Sequence, residues 1–384
     1  MVSLFLLSFF SKAGVNIFAG LSYIGAFFLL WRVGVAPVTS QPWWYLLLIP
    51  GLVGIATSTL TQNGGIEELA QFLMRYKFFL LPLVIVVIAQ TEKSIHGLFL
   101  AALISSLATI FYGLSQSDIT SIGVFQSPLF ILRYADMLMV VALAVIVCMS
   151  DEKFRKAYKN WFWVLCISLA LILWALYLSG ARGAWLGFFI GAVALGILFY
   201  RPLLYVMLLG FMAVLLFASD TKFVKEIYSI ADMETDISNN ARLQLWQLGW
   251  EFSYNHFWFG AGRIDMKQRY MQHYESLPAQ KKEKYELAKN YPGDMHNSYL
   301  QLFVEWGALF FVVFTVCGAA VFYFLYRSLG QAPPRFKYLP KMAIVASFGF
   351  LAAQLFHTDL YSYGAINYLL VLAAGLSATQ LERA

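Results

Sequence analysis

Long apolar runs broken by short polar stretches set the rhythm of this chain. A membrane-spanning helix needs about 20 mostly apolar residues, and residues 130–150, 161–178 and 300–326 meet that with at most two charged residues each. The same reading predicts helical spans near residues 2–10, 14–31, 43–60, 72–90, 95–114, 129–150, 161–178, 184–200, 202–218, 297–326, 340–357 and 364–380, about twelve in all. The period-two alternation of a transmembrane barrel does not recur. The predicted fold class is therefore all-α and polytopic. Residues 2–10 are too few to cross a bilayer and lack a signal-peptide cleavage pattern. That run reads as a re-entrant piece or as the remainder of a longer one.

Basic residues in short loops mark the cytoplasmic side of a membrane protein. "DEKFRKAYKN" (151–160) and residues 327–341, with Arg335 and Lys337, are the most basic short loops and are expected there. Alternation then places "SGARG" (179–183), the long segment 219–296 and "HTDLYSYG" (357–364) together on the opposite face. The expected organisation is membrane helices over 1–218, a large outer loop over 219–296 and membrane helices over 297–384. Within the loop, Arg242, Trp246, Gly249 and Trp250 recur at helical spacing, "FGAGR" (259–263) punctuates, and "PAQKKEKYELAKN" reads as a second, charged helix. A loop of this length with helices of its own is rarely an idle connection.

Composition agrees with the pattern. Of 384 residues, 60% are hydrophobic and 12% charged, and the mean hydropathy of +0.67 excludes a soluble globular protein. The net charge of +6 and a pI near 9.0 fit cytoplasmic loops and contact with the lipid bilayer, not nucleic acid. Cys148, Cys166 and Cys317 all sit inside apolar runs without ligand spacing, as small hydrophobes do.

A few polar residues stand at the brink of the apolar runs. His296 opens an outer helix, where an imidazole near neutrality suits a general base for an alcohol. The same position also suits an interfacial cap. Asn297 and Ser298 are good helix starters in their own right, and Gly307, eleven residues beyond His296, permits close helix approach. Arg182, flanked by Gly180 and Gly183, can bring a planar five-donor fork and exposed backbone amides to one anion; a snorkelling interfacial arginine would look alike. Arg242 repeats the theme at the front of its helix, and Arg133, Arg263 and Asp359 are weaker members of the set. Asp232, Glu234 and Asp236 alternate in "DMETD", a pattern that reads as a solvated face; no metal site is predicted. Neither a nucleotide-binding glycine loop nor a Gly-x-Ser-x-Gly elbow occurs.

With His296, Arg182 and Arg242 on one face, the chain resembles the O-antigen ligase family, membrane glycosyltransferases that share a domain with O-antigen polymerases. The family's histidine motif runs His, then Asn, Ser or Gln, nine residues, Gly, two residues, then Gly, Thr or Tyr. His296, Asn297 and Gly307 match at that spacing, and Phe310 departs at the last position. "LSGARGAWLG" is similar to the family's arginine-bearing helix end, and "NNARLQLWQLGWEFSYNHFWFGAG" to the start of its large periplasmic loop. The motifs cover roughly residues 170–310; the rest of the chain matches only as a pattern of spans.

The resemblance implies a GT-C-like, metal-independent, inverting enzyme of the bacterial inner membrane that needs no cofactor. Such an enzyme moves glycan from undecaprenyl diphosphate to lipid A-core on the periplasmic side. His296 would be the base. Arg182 and Arg242, supported by Arg263 and Arg133, would clamp the diphosphate, with Asn297 and Asp359 in supporting positions. A polymerase, which passes the same donor to a second glycan, is the nearest alternative. A lipid-linked oligosaccharide flippase would instead place charges along a central pathway.

Overall fold

The computed structural model of the protein describes residues 11–61, 64–116, 125, 127, 129–217 and 236–381, the side chains of 211 and 213–217 excepted. All regular structure among the described residues is helical. Among the described residues, six helical stretches are long and apolar enough to cross a bilayer: Lys12–Val33, Ile66–Ile88, Glu92–Gln116, Ile131–Ser150, Lys159–Ser179 and Ser298–Gln331. Other apolar helices are shorter, among them Trp44–Leu60, Arg182–Leu198, Pro202–Phe217, Tyr338–Ala353 and Tyr363–Ser377. The expectation of about twelve spans therefore meets six helices of full length, and the run at 2–10 lies outside the described residues.

Two of the short helices lie inside the bundle with the full-length Ile131–Ser150. Every residue of Ile366–Ser377 is buried, and Tyr338–Ala353 is buried over most of its length. Arg182–Leu198 turns Gly183, Ala184, Gly187, Gly191 and Ala192 inward. A Cβ on Gly187 would stand 2.5 Å from the Gly349 carbonyl oxygen, so this pair of helices meets backbone to backbone. Close approach of this kind replaces the hydrophobic effect, which lipid cannot supply between helices.

At one end of the bundle the two basic loops meet. Lys341 Nζ lies 2.7 Å from Asp151 Oδ2, and Tyr158 Oη donates to Glu92 at 3.0 Å. The Ile131–Ser150 helix starts at the opposite end, with Arg133 in its first turn. That opposite end holds the residues 236–296. They form helices Ile237–Ser253 and Met266–Ser276 around a core of Leu245, Leu248, Phe252, Tyr270, Tyr274 and Met295.

This outer segment is stitched into the longest helix at a break. Ser298–Gln331 is interrupted at Gly307, whose φ of 77° is left-handed. The turn that carries "FGAG" fills the gap. Ala261 and Gly262 N–H donate to the carbonyls of Val304 and Glu305 at 2.8 and 2.9 Å, and Ala308 N–H donates to the Phe257 carbonyl at 2.7 Å. Backbone groups freed by the break thus find partners, as burial at membrane depth demands. The expected close helix approach at Gly307 is corrected here: the glycine admits the crossing chain, since a Cβ would lie 2.4 Å from the Trp258 carbonyl oxygen.

Two buried carboxylates hold the same stitch. Glu68 accepts the Arg263 and Ile264 N–H groups at 2.8 and 2.6 Å, while Glu305 takes Arg263 Nη1 at 2.6 Å and Arg75 Nη1 at 3.4 Å. Arg75 also lies over the Tyr361 ring.

Gly307→Ala should lower the melting temperature in detergent, because a left-handed alanine alone costs about 1–2 kcal/mol before the clash is counted; an unchanged melting temperature would show that the break is not needed. Glu305→Gln leaves two arginines without their carboxylate and should cost roughly 3 kcal/mol. It would appear as reduced abundance and faster proteolysis at the "FGAGR" turn.

Candidate functional site

The arginines and the histidine singled out by sequence arrive at this outer end on separate elements. Arg133 and Arg182 open the Ile131–Ser150 and Arg182–Leu198 helices, Arg242 lies in the first turns of Ile237–Ser253, and Arg263 follows the "FGAG" turn. His296 precedes Asn297, and His357 and Asp359 lie in the turn after Tyr338–Ala353.

Asn297, not His296, caps the helix. Its side-chain oxygen accepts the Tyr299 and Leu300 N–H groups at 3.0 Å each. His296 stands just outside with φ at 45°, a left-handed conformation uncommon for a residue with a side chain. Its N–H donates to Asp294 Oδ1 at 3.0 Å, and its ring meets Tyr291 edge to face at 5.5 Å. Burial lowers the His296 pKa from its ordinary value; Asp294 opposes the shift, and Arg242 and His357 add to it. The imidazole is thereby held neutral near pH 7.

The arginines differ in what already holds them. Arg133 Nε pairs with Asp359 at 2.6 Å and stacks on Tyr363; Arg263 is held by Glu305; Arg182 Nη1 pairs with Asp236 at 3.2 Å. Asp236 also caps the Arg242 helix by accepting the Asn239 N–H at 2.9 Å. The reading of Asp236 as part of a solvated acidic face is corrected by these two bonds; Asp232 and Glu234 lie outside the described residues. Arg242 lies over Phe356, and no carboxylate among the described residues reaches ion-pair distance of it. Burial first and the Arg182 guanidinium second push its pKa down, although arginine stays charged.

Several residues not singled out by sequence lie beneath this layer. Asp136, fully buried, bonds His357 Nδ1 at 2.8 Å and accepts from Gln354 Nε2 at 2.9 Å. Gln354 Oε1 accepts from Ser298 Oγ at 2.8 Å and from the Asp359 N–H at 3.0 Å, and Ser298 Oγ lies 2.9 Å from the His357 carbonyl. Asp294 Oδ1, which receives the His296 N–H, also receives Thr358 Oγ1 at 3.2 Å. His296 is thus tied to the 354–360 turn on two sides. Asp136 and Glu305 were visible in sequence as acids inside apolar runs, a signal of function by itself.

Asp136, His357 and Asp359 lie close enough to face one metal ion. Most of their ligand atoms are already engaged: both Asp136 oxygens by His357 Nδ1 and Gln354, and Asp359 Oδ1 by Arg133 and Ser362, while His357 Nε2 has no hydrogen-bond partner among the described residues. Arg133 supplies the positive charge. Burial and the Asp136 charge raise the Asp359 pKa to about 6, against the pull of Arg133 and His357.

Below the site, an apolar cavity of about 450 Å³ descends between the Trp44–Leu60, Ser298–Gln331 and Tyr338–Ala353 helices, lined near its top by Tyr299 and Leu360.

Residues 167–315 match the family model described as O-antigen ligase. No curated protein matches the chain. The matched stretch contains Arg182, Arg242, Arg263, His296 and Gly307, while Arg133, Asp136, His357 and Asp359 lie outside it and reach the site only through the fold. Over residues 167–315 this multi-pass membrane protein is similar to the O-antigen ligase family that its motifs resemble.

Proposed function

We propose that the protein transfers glycan from undecaprenyl diphosphate to lipid A-core at the periplasmic face of the inner membrane. What carries this reading is one juxtaposition: an imidazole kept neutral by burial lies within electrostatic reach of Arg242, a partly buried guanidinium with no described carboxylate of its own. A half-buried guanidinium that no described carboxylate reaches at ion-pair distance, with Asp236 acting on it only from further off, suits an anion. In this reading the chain crosses the membrane about twelve times in a GT-C-like arrangement, with the Asp151–Lys341 end in the cytoplasm.

The chemistry follows from the groups present. His296 takes the proton from the acceptor hydroxyl as its oxygen attacks the anomeric carbon from the face opposite the leaving group, which inverts the configuration. The anomeric C–O bond breaks with its electron pair on the diphosphate. Arg182 and Arg242 meet that growing charge with fixed forks, the role a metal ion has in many transferases. Arg133 and Arg263, held by Asp359 and Glu305, raise the local positive potential. The apolar cavity beneath takes part of the polyprenyl tail.

His296→Ala should reduce transfer about 10²–10⁴-fold with protein abundance unchanged, the usual loss when a general base is removed. Near-normal transfer by that variant would discard the base assignment. Arg182→Lys keeps the charge and loses the fork, and should reduce turnover about ten-fold. Since the base acts deprotonated, the rate should fall with falling pH through the His296 pKa, which lies below the ordinary 6.5; a midpoint above 6.5 would contradict the assignment. Purified protein given lipid-linked glycan with either lipid A-core or more lipid-linked glycan separates ligase from polymerase. Chain extension without attachment to lipid A-core would replace the ligase reading.

A further inference from the structure

The Asp136–His357 pair is the least explained feature of the site. His357 is almost fully buried, its Nδ1 is committed to Asp136 at 2.8 Å, and its Nε2 is buried without a hydrogen-bond partner among the described residues. An unmade bond of this kind costs about 1–3 kcal/mol, and native proteins keep few of them.

The direction of Nε2 gives it a use. It abuts Gly183: a Cβ there would lie 2.6 Å from Nε2. Gly183 is the second residue of Arg182–Leu198, so its N–H has no carbonyl a turn back within the helix. The N-terminus of a long helix is a ready site for an anion. A side chain at 183 would meet the imidazole and Phe356, and Gly183 is itself buried, which corrects the earlier reading of it as an exposed backbone amide.

The geometry points to His357 as a third donor of the anion site, its Nε2–H joining Arg182 and the helix N-terminus on one phosphate oxygen of the lipid diphosphate. This rests on the function proposed above and adds a binding residue to it. His357 gives up no proton: the acceptor proton goes to His296, the electron pair goes to the diphosphate oxygen, and His357 shares its N–H as a hydrogen bond.

The charges around His357 suit that role. Burial disfavours its charged form, but Asp136, by charge and hydrogen bond, and Asp359 outweigh burial and the opposing Arg242, so its pKa is raised. His296, also within electrostatic reach, is shifted the other way. Two imidazoles driven apart in this manner are suited to opposite duties, one to accept a proton and one to donate a hydrogen bond.

The test uses the full-length protein in detergent and polyprenyl diphosphate as probe, with polyprenyl monophosphate beside it. His357→Asn retains an amide toward Asp136 but lacks the far nitrogen; His357→Gln places an amide near Nε2 and gives up the Asp136 bond. The Asn variant should bind the diphosphate about ten-fold more weakly and raise KM for the lipid-linked donor, with its melting temperature kept. The Gln variant should retain most of the binding. If the Asn variant binds as the unaltered protein does, or if both variants lose binding only in step with a lost melting temperature, His357 is structural and the inference falls. If the unaltered protein neither binds the diphosphate nor transfers glycan, the parent reading falls and takes this one with it.

Discussion

A helix that breaks where it is buried needs something to bond its broken backbone, and that requirement organises the outer half of this protein. At Gly307 the chain turns left-handed, and the carbonyls of Val304 and Glu305 are left facing outward. The "FGAG" turn bonds them with its own N–H groups. Once the turn is fixed there, the helices on either side of it, Ile237–Ser253 and Met266–Ser276, are fixed against the bundle as well. Glu68 and Glu305 make the joint specific, because a buried carboxylate accepts only where donors are aimed at it. Gly262 shows how closely they are fitted: a Cβ there would stand 2.5 Å from Glu68 Oε1.

The joint explains how a polar site persists at the end of an apolar bundle. Residues 298–306 form a short, largely buried helix whose start presents His296 and whose end meets the "FGAG" turn. Moving either end moves the other. Behind it, Gln354 links Asp136, Ser298 and Asp359, so one amide side chain connects the Ile131–Ser150 helix, the helix of the histidine motif and the turn that carries His357. Networks of this kind are stabilising only when nearly every member is satisfied. Arg133 on Asp359 and His357 on Asp136 meet that condition at two corners, while the Nε2 of His357 finds no partner among the described residues.

Much of this was legible from local pattern. Apolar runs located the helices, and loop charge grouped Arg182, Arg242, His296 and Asp359 at one end. Their lengths were less legible: Tyr338–Ala353 and Ile366–Ser377 are shorter than a bilayer requires because other helices surround them and hydropathy does not register what covers a residue. The partners of the buried carboxylates were not legible at all. Arg75 and Glu305 are 230 residues apart, Glu68 and the Arg263 N–H that it accepts are 195 apart, and no local spacing joins them. Asp136 was a different case, since an acid three residues after Arg133 inside an apolar run was a usable signal. Its partner, His357, is 221 residues away.

Phe310 shows how a motif position and a packing position can be one residue. Where the family motif has Gly, Thr or Tyr, this chain has a phenylalanine that is almost fully buried. Its ring meets Phe72 edge to face at 5.6 Å and stacks on Phe314 at 5.7 Å, with Tyr76 beyond. Phe72 and Tyr76 stand on the same helix as Glu68 and Arg75. One face of that helix therefore grips the "FGAG" turn and Glu305 by charge, while its next turns grip the restarted helix just past Gly307 through aromatic contact. Phe310 lies one turn below the break, on the apolar side of the joint, and a large ring there holds the lower half of the broken helix to the same element that anchors the upper half. The departure from the motif concerns how the break is held, while His296 lies beyond the other end of the helix, just before its Asn297 cap.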